Sequence, residues 1–346
     1  MSVTTVLGSV KREELGIILP HEHLFIDLTN QFSEVDDPEA RRRSREAISL
    51  QNYGYLRRNP YALKENLIMD DPAVMAEEAF YFKRAGGSTI VDCTSVGINR
   101  SPLKLKALAE ETGLNIIAGC GYYTQDTHPD EMAEWAEEQI AAKMVRDLCE
   151  GIGDTGIRAG VIGEIGTGAP IHPNEIKSLR AAALAHRQTG APIQIHTYPW
   201  GTTGLDVLDI LAALDVDPAR VVICHIDVVF NIPYIKELLR RGAYVEFDNF
   251  GKEFYIDSKD RLGFTGGVFA TDLERVRVIK ELVAAGFEKR ILITNDLCLR
   301  QMLHRYGGWG YDHILSHILP MMMDEGIAEG IARSMTQDNP ADWLCP

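Results

Sequence analysis

Short apolar segments rich in β-branched residues recur along the chain, and most are followed by an amphipathic stretch. Eight such segments occur, at residues 16–23, 88–95, 114–123, 158–166, 191–198, 220–227, 243–249 and 290–296. Continuous apolar runs of this length are typical of strands that are covered on both faces. Each run therefore predicts one strand of a parallel sheet that lies buried beneath helices.

The stretches between these runs carry the start and stop signals of helices. One of them, "DPAVMAEEAFYFKRAGG", opens with Asp-Pro and closes on Gly86. Most of the others end in glycine just before the next strand, as a helix C-cap does. Eight strand–helix units predict an α/β fold, the (β/α)8 TIM barrel. A doubly wound sheet is the alternative, but no glycine-rich turn of the GxGxxG type follows the first strand.

The length of the chain fits one such barrel with two additions. We expect a single domain over residues 1–346, with an insertion at about 28–70 between strands 1 and 2. A helical tail at about 311–346 is expected to follow strand 8. A barrel of this kind needs about 250 residues, so the insertion and the tail account for the surplus.

Composition and charge narrow the classes of function. The chain carries a formal net charge of −15 at pH 7, which argues against nucleic-acid binding because that function needs a basic surface. None of the six cysteines forms a CxxC pair, so a reducing compartment fits better than a zinc ribbon or a disulfide framework. No secretion signal and no apolar run of about 18 residues is evident. We therefore expect a cytoplasmic protein without a membrane partner.

Side chains that can bind a metal ion stand at the ends of five of the predicted strands. In chain order they are His21, His23, Glu164, His196, His225 and Asp296. Each of them alone has a simpler explanation, such as a hydrogen-bonded core histidine or a helix cap. In a (β/α)8 barrel, however, the C-terminal strand ends meet at the active-site mouth. Six imidazole and carboxylate groups gathered there would repel or need costly desolvation without a metal ion.

The number of these groups predicts two metal ions. A single catalytic zinc takes about three protein ligands, whereas two ions about 3.5–4 Å apart use all six groups if Glu164 bridges them. Nitrogen and carboxylate ligands favour Zn²⁺, with Mn²⁺, Co²⁺ or Fe²⁺ as alternatives. His21 and His23 are two residues apart in a strand and therefore point to the same face. We expect both to hold one metal.

Several segments also match a known family in their order along the chain. They are "GIILPHEHLF", "RAGVIGEIG", "PIQIHTYPWG", "VVICHID", "RILITND" and "YGGWGYDHILSHILPMM". In this order, between residues 16 and 344, they resemble the phosphotriesterase-like group of the amidohydrolase superfamily. Most members carry a carboxylated lysine where this chain has Glu164, so the resemblance is to the glutamate-bridged subset. Many lactonase-type members carry arginine where this chain has Val228.

The resemblance implies a role for each candidate ligand. The strand-1 histidine pair and Asp296 would hold the more buried metal, and His196 and His225 would hold the more exposed one. Glu164 and a hydroxide would bridge the two ions. Asp296 would also accept the proton of the attacking water and deliver it to the leaving group. Related barrels are commonly dimers, so a homodimer is one expectation.

The activity expected from these groups is hydrolysis of a small molecule. A lactone or a small carboxylic ester is the first candidate substrate. An amidase acting on an N-acylated small molecule and a phosphotriesterase are alternatives that use the same metals. A mononuclear deaminase is disfavoured because Pro199 stands where such enzymes need a glutamate. A catalytically silent barrel that binds a small molecule is the non-enzymatic alternative.

The loops after the strands supply the candidate substrate contacts. They are Tyr123, Lys252, Arg275, Arg300 and Trp309. For Arg275, a salt bridge on a helix face is the simpler interpretation. If Lys252 or Arg300 faces the pocket, an anionic substrate is favoured. Asp92 and Asp227, at the ends of strands 2 and 6, are candidates for orienting a ligand imidazole.

Overall fold

Eight parallel strands nearly close into a barrel in the computed structural model, which describes residues 1–32, 37–256 and 267–345. The strands are β1 (Ile18–Glu22), β2 (Thr89–Asp92), β3 (Asn115–Cys120), β4 (Val161–Thr167), β5 (Ile193–Thr197), β6 (Val221–Ile223), β7 (Tyr244–Phe247) and β8 (Ile291–Ile293). Each strand pairs in parallel with the next along the chain. The predicted TIM barrel is confirmed.

Helices follow the strands and cover the outside of the barrel. In order along the chain they are α1 (Pro72–Arg84), α2 (Pro102–Thr112), α3 (Glu137–Cys149), α4 (Pro173–Thr189), α5 (Gly204–Ala212), α6 (Ile232–Arg240) and α7 (Asp272–Ala284). The predicted signals act as expected in α1, where the Asp71 side chain accepts hydrogen bonds from two backbone N–H groups of the first turn. Gly113 and Gly190 end α2 and α4 in the left-handed conformation.

The segment between β1 and β2 forms the insertion. It contains short helices at Pro38–Arg43 and Tyr53–Leu56, and an antiparallel pair made by Ile26–Asp27 and Ile68–Met69. After β8 the chain forms a π-helical turn over Ile314–Ile318, and then α8 (Leu319–Asp324), α9 (Glu329–Ser334) and α10 (Asp338–Leu344). Within the described ranges, none of the helices is both long and apolar enough to cross a membrane.

The N-terminal end of the barrel is filled by apolar side chains. A hairpin of Ser2–Thr5 and Gly8–Lys11 packs there, together with α10. The fully buried indole of Trp343 donates a 3.3 Å hydrogen bond to the backbone oxygen of Arg220. Because this end is a packed core, polar chemistry is confined to the opposite mouth, where the strands end.

The seam between β8 and β1 is joined by the carboxylate of Glu22. Its oxygens accept hydrogen bonds from the Thr294 hydroxyl, from both nitrogens of Asn295 and from the backbone N–H of Leu297. Glu22 is fully buried, and burial raises its pKa although these donors oppose the effect. Its alternation with the histidines of β1 thus has a structural purpose, which is to fix the backbone on either side of Asp296.

Candidate metal centre

The structure brings the six candidate ligands together at the C-terminal mouth of the barrel. All six are at most 6 % exposed: His21, His23, Glu164, His196, His225 and Asp296. The backbone at His225 and Asp296 has φ of +60° and +45°, a conformation that is uncommon outside glycine and that concentrates at functional sites. In both cases the chain turns sharply at the strand end, which aims the side chain across the mouth.

The deeper half of this cluster lies between β1 and β8. His23 Nε2 is 3.1 Å from Asp296 Oδ1 and 3.3 Å from Glu164 Oε1. His21 Nε2 is 3.7 Å from the same Asp296 oxygen. The Nε2 atoms of His21 and His23 and one oxygen of Asp296 therefore lie close enough together to hold one divalent cation.

The outer half lies on the other side of Glu164. Its Oε2 atom is 3.3 Å from His196 Nδ1 and 3.5 Å from His225 Nε2. These two ring nitrogens are 2.8 Å apart. Glu164 Oε1 faces His23 of the deeper group, whereas Oε2 lies within 3.5 Å of His21, His196 and His225. The carboxylate therefore lies between the two groups, as one that bridges two cations would.

Two buried atoms of the cluster indicate a metal site independently of any resemblance to known proteins. His21 Nε2 and Glu164 Oε2 are buried and, among the described residues, have no hydrogen-bond partner. They are 3.5 Å apart. Buried polar atoms are nearly always satisfied, so two adjacent exceptions, an imidazole nitrogen and a carboxylate oxygen, point to a cation. Burial raises the pKa of Glu164, but the charge of His21 and the close contacts with His196 and His225 hold it well below its usual range.

Two acidic residues, one in β7 and one in the loop after it, contact the Nδ1 atoms of two candidate ligand histidines. Glu246 Oε2 lies 3.0 Å from His21 Nδ1, and Asp248 Oδ1 lies 3.0 Å from His225 Nδ1. Such partners fix the tautomer, so that Nε2 presents its lone pair to the site. Neither residue was predicted from the sequence. The available signal was two carboxylates at alternate positions of the apolar run "AYVEFDN", which places them on one face of the strand.

The contacts of Asp92 and Asp227 differ from their predicted role, which was to orient a ligand imidazole. His23 Nδ1 meets the Thr94 hydroxyl at 3.0 Å, whereas Asp92 accepts hydrogen bonds from backbone N–H groups, including that of Thr94. Asp227 binds Asn249, which in turn donates to Asp248. The prediction that these aspartates orient an imidazole directly is wrong. Asp92 instead positions Thr94, which contacts His23, and Asp227 holds Asn249, which contacts Asp248.

The site holds protons strongly when no metal is bound. Burial lowers the pKa of His23, but hydrogen bonds to Asp296 and Glu164 outweigh it and raise the pKa to about 9. Burial likewise lowers the pKa of His225, while the charge of Asp248 and its hydrogen bond raise it to about 10. His196 differs, because burial and the neighbouring His225 lower its pKa. These groups offer a site where cations and protons compete.

Two of the predicted substrate contacts line the cavity above this cluster. The ring of Tyr123 lies 4.7 Å from that of His196, and its hydroxyl accepts a 3.4 Å hydrogen bond from Gln31. Lys252 is 4 % exposed and its Nζ contacts Asp296 Oδ2. Burial lowers the pKa of Lys252, but the charge of Asp296 more than compensates and raises it above the ordinary value. Lys252 therefore remains an ammonium at the site.

The other three predicted contacts lie elsewhere. Arg275 is fully buried in ion pairs with Asp227 and Asp272, which agrees with the simpler interpretation of this residue. Arg300 pairs with Glu65 of the insertion. Trp309 is half exposed and lines a separate cavity of about 280 Å³. The structure does not bring these side chains to the cavity above the six candidate ligands.

Comparison with known proteins agrees with this geometry. The family model described as "Phosphotriesterase family" matches residues 1–344. The chain is 35 % identical over 346 residues to an N-acetyltaurine hydrolase of Xenopus tropicalis, covering 99 % of this chain and 97 % of that protein. A resiniferatoxin-binding protein from Rhodobacter sphaeroides superposes with a TM-score of 0.95 at 33 % identity, covering 99 % and 94 %.

A third relative carries a ligand. The phosphotriesterase homology protein from Escherichia coli, described as complexed with phosphate in its active site, superposes with a TM-score of 0.79 at 29 % identity. The superposition covers 96 % of this chain and 99 % of that one. The matches span nearly the whole length in each case, so they include the barrel and every strand end described above. The chain belongs to the phosphotriesterase family and is a metal-dependent hydrolase of the amidohydrolase superfamily.

Proposed function

We propose that this protein is a binuclear amidase that removes a small acyl group from an amine bearing an anionic group. The class includes N-acetylated amino sulfonates, and N-acetyltaurine is the substrate named for relatives that are 34–36 % identical over almost the whole chain. The observation that carries the proposal is Lys252. Among the described residues that line the cavity it is the only lysine or arginine, and it lies beside Asp296.

The metal ligands are proposed as the six buried groups of the cluster. The deeper ion would lie between the β1 histidines and Asp296, and the outer ion between His196 and His225, with Glu164 between the ions. Zn²⁺ suits this mixture of nitrogen and carboxylate ligands, and Mn²⁺, Co²⁺ and Fe²⁺ are the alternatives. Such a pair supplies a nucleophilic water at neutral pH and polarises the acyl carbonyl.

Asp296 is proposed as the group that moves the proton. Burial raises its pKa, but Lys252 and the neighbouring histidines hold the pKa below its usual range, so the carboxylate is ionised and can accept a proton. An amide needs this step more than a lactone does, because an amine leaves readily only when it is protonated. Asp296 would take the proton from the water and return it to the leaving nitrogen.

Lys252 is proposed to bind the anionic group of the substrate. Its ammonium is desolvated, and its attraction to a second anion is stronger in the low dielectric of the cavity than it would be in water. Tyr61, Tyr123 and Phe269 line the same cavity and would exclude water from the reacting carbonyl. The sequence-based preference for a lactone ranks second, because no contact in the cavity favours it and Val228 is fully buried where lactonase-type members carry arginine.

The test compares anionic and neutral amides with a lactone and a phosphotriester. Metal-loaded protein is assayed with N-acetyltaurine, its carboxylate analogue N-acetyl-β-alanine, neutral N-ethylacetamide, a γ-lactone and an aryl phosphotriester. The anionic amides should have the highest kcat/KM. Lys252→Met should raise KM for them by about tenfold or more, which is the loss of one charge-assisted contact of about 1.5 kcal/mol or more, and should change KM for the neutral amide little.

The matched control is Lys236→Met on α6, which removes an ammonium paired with Glu281 at the surface and should leave every KM unchanged. Asp296→Asn should abolish turnover of all five compounds. If the lactone were turned over faster than the anionic amides by the wild-type protein, the amidase proposal would be wrong. Equal effects of Lys252→Met on charged and neutral amides would remove the role of Lys252 in recognition.

A further inference from the structure

Two histidines after β8 lie apart from the candidate metal centre and face each other. His313 precedes the π-helical turn Ile314–Ile318, and His317 lies within it. The Nδ1 atoms of the two rings are 3.4 Å apart. His313 is buried, whereas His317 is exposed. π-Helical turns are rare and often occur at functional sites.

Asp272 fixes the orientation of the inner ring. Its Oδ2 atom lies 2.8 Å from His313 Nε2, while its Oδ1 atom accepts hydrogen bonds from the Gly251 backbone and from Arg275, both at 2.9 Å. Because a carboxylate accepts and does not donate, His313 Nε2 must carry the hydrogen. His313 Nδ1 then presents a lone pair toward His317. A carboxylate behind a histidine is the usual support of a metal-ligating imidazole.

The separation of the two nitrogens suits a tetrahedral ion better than a hydrogen bond. Ligands at about 2.0–2.1 Å from a tetrahedral Zn²⁺ are about 3.3–3.4 Å from one another, and the observed distance is 3.4 Å. A hydrogen bond donated by a ring nitrogen is usually about 2.9–3.0 Å long. Partial burial and the neighbouring His313 lower the pKa of His317, which favours the neutral form of the outer ring.

We propose that His313 Nδ1 and His317 Nδ1 form a peripheral binding site for a transition-metal ion of the Zn²⁺, Ni²⁺ and Cu²⁺ class. The two rings supply two ligands, and water completes the coordination. The indole of Trp309 stacks on His313 at 5.0 Å and lies 4.9 Å from His317. Gly251 approaches both His313 and Trp309 so closely that an added Cβ would lie 3.4 Å from each ring.

A chain of contacts also connects this site to the candidate metal centre. Asp272 joins His313 to the backbone of Gly251, and the next residue, Lys252, contacts Asp296. The peripheral site shares no residue with the six groups of the candidate metal centre. It can therefore be occupied or removed independently, and its existence does not depend on which substrate the enzyme hydrolyses.

The test uses the exposure of Trp309. Tag-free protein, loaded with its active-site metal and desalted, is titrated with Ni²⁺ while tryptophan emission is recorded and bound nickel is counted by equilibrium dialysis. Saturable quenching with one nickel per chain is expected. Trp309→Phe should remove most of the quenching but retain the bound nickel, because that ring reports on the ion without ligating it.

His317→Ala is the decisive variant, since an exposed side chain can be removed without disturbing the fold. It should weaken nickel binding by about tenfold or more. His186→Ala, which removes a partly exposed histidine of α4, is the matched control and should bind nickel as the wild type does. A dialysis midpoint for His317→Ala within twofold of the wild type would overturn the proposal, as would the same loss in His186→Ala.

Discussion

Replacement of Glu246 by glutamine is the sharpest test of how the metal centre is built, because the change keeps the size of the side chain and removes only its charge. Glu246 is fully buried. Its Oε2 atom is 3.0 Å from His21 Nδ1, 2.9 Å from Gln194 Nε2 and 3.1 Å from Cys224 Sγ. Its second oxygen has no hydrogen-bond partner among the described residues.

The expected cost follows from these contacts. His21 keeps an acceptor if the new amide oxygen faces it, but it loses the negative charge that raises the basicity of its Nε2 atom. Replacement of such a partner typically costs 10–100-fold in metal affinity, which corresponds to about 1.4–2.7 kcal/mol at 25 °C. The loss should appear in the more tightly held ion, since His21 belongs to the deeper half of the cluster.

Competition with a chromophoric chelator measures this affinity directly. Glu246→Gln should release zinc at about 10–100-fold lower chelator strength than the wild type. Glu237→Gln on α6, a surface residue paired with Arg240 and Arg241, is the matched control and should behave as the wild type. If Glu246→Gln were folded, as judged by its urea midpoint, and still bound both metals with wild-type affinity, the inferred support of His21 would be wrong.

Four further outcomes are expected. Metal affinity should rise with pH between about 7 and 9, because the pKa values of His23 and His225 are raised to about 9 and 10 and their protons must leave before a metal binds. The rise should be up to about tenfold per pH unit for each proton displaced. A chelator titration that did not depend on pH would contradict this. In the metal-free protein the same two histidines stabilise the fold fully below pH 6.5, and this contribution to the free energy of unfolding is lost as the pH rises through about 9–10, which urea unfolding can follow. Trp343→Ala should lower the free energy of unfolding by about 3–5 kcal/mol in urea, since the ring is fully buried in the N-terminal core. Cys149 is exposed and the other five cysteines are buried, so a thiol reagent should modify one cysteine per native chain, and modification of several would contradict the packing.

The barrel and the convergence of the candidate ligands could be predicted because both follow from short-range patterns. The strand runs are fully buried and therefore apolar throughout, so a polar residue at the end of a run, such as His196 or Asp296, stands out. The architecture then brings strand ends together whatever lies between them. That is why residues as distant in sequence as His21 and Asp296 could be placed in one cluster.

The supporting residues were harder to predict for a physical reason. Glu246 lies in β7 and Asp248 directly after it, where none of the six candidate ligands lies, and their importance depends on which nitrogen of a neighbouring imidazole faces them. Arg275 and Arg300, which were predicted to contact the substrate, show that the position of a residue along the chain does not fix where its side chain lies. A long flexible side chain can reach several partners, and burial against Asp227 or pairing with Glu65 takes it away from the cavity that its position along the chain had indicated.

The loop after β7 contacts different parts of the molecule through residues that lie within five positions of one another. Asp248 orients His225 of the candidate metal centre, Gly251 is held by Asp272 next to the peripheral histidines, and Lys252 contacts Asp296. A substitution that shifts this loop therefore changes a ligand orientation and the charge near the reacting bond together. The six candidate ligands allow little variation, since each contacts several others. Differences in substrate class between this chain and its relatives are accordingly expected at residues 248–252, where a change in Lys252 would alter the proposed recognition and leave the six candidate ligands in place.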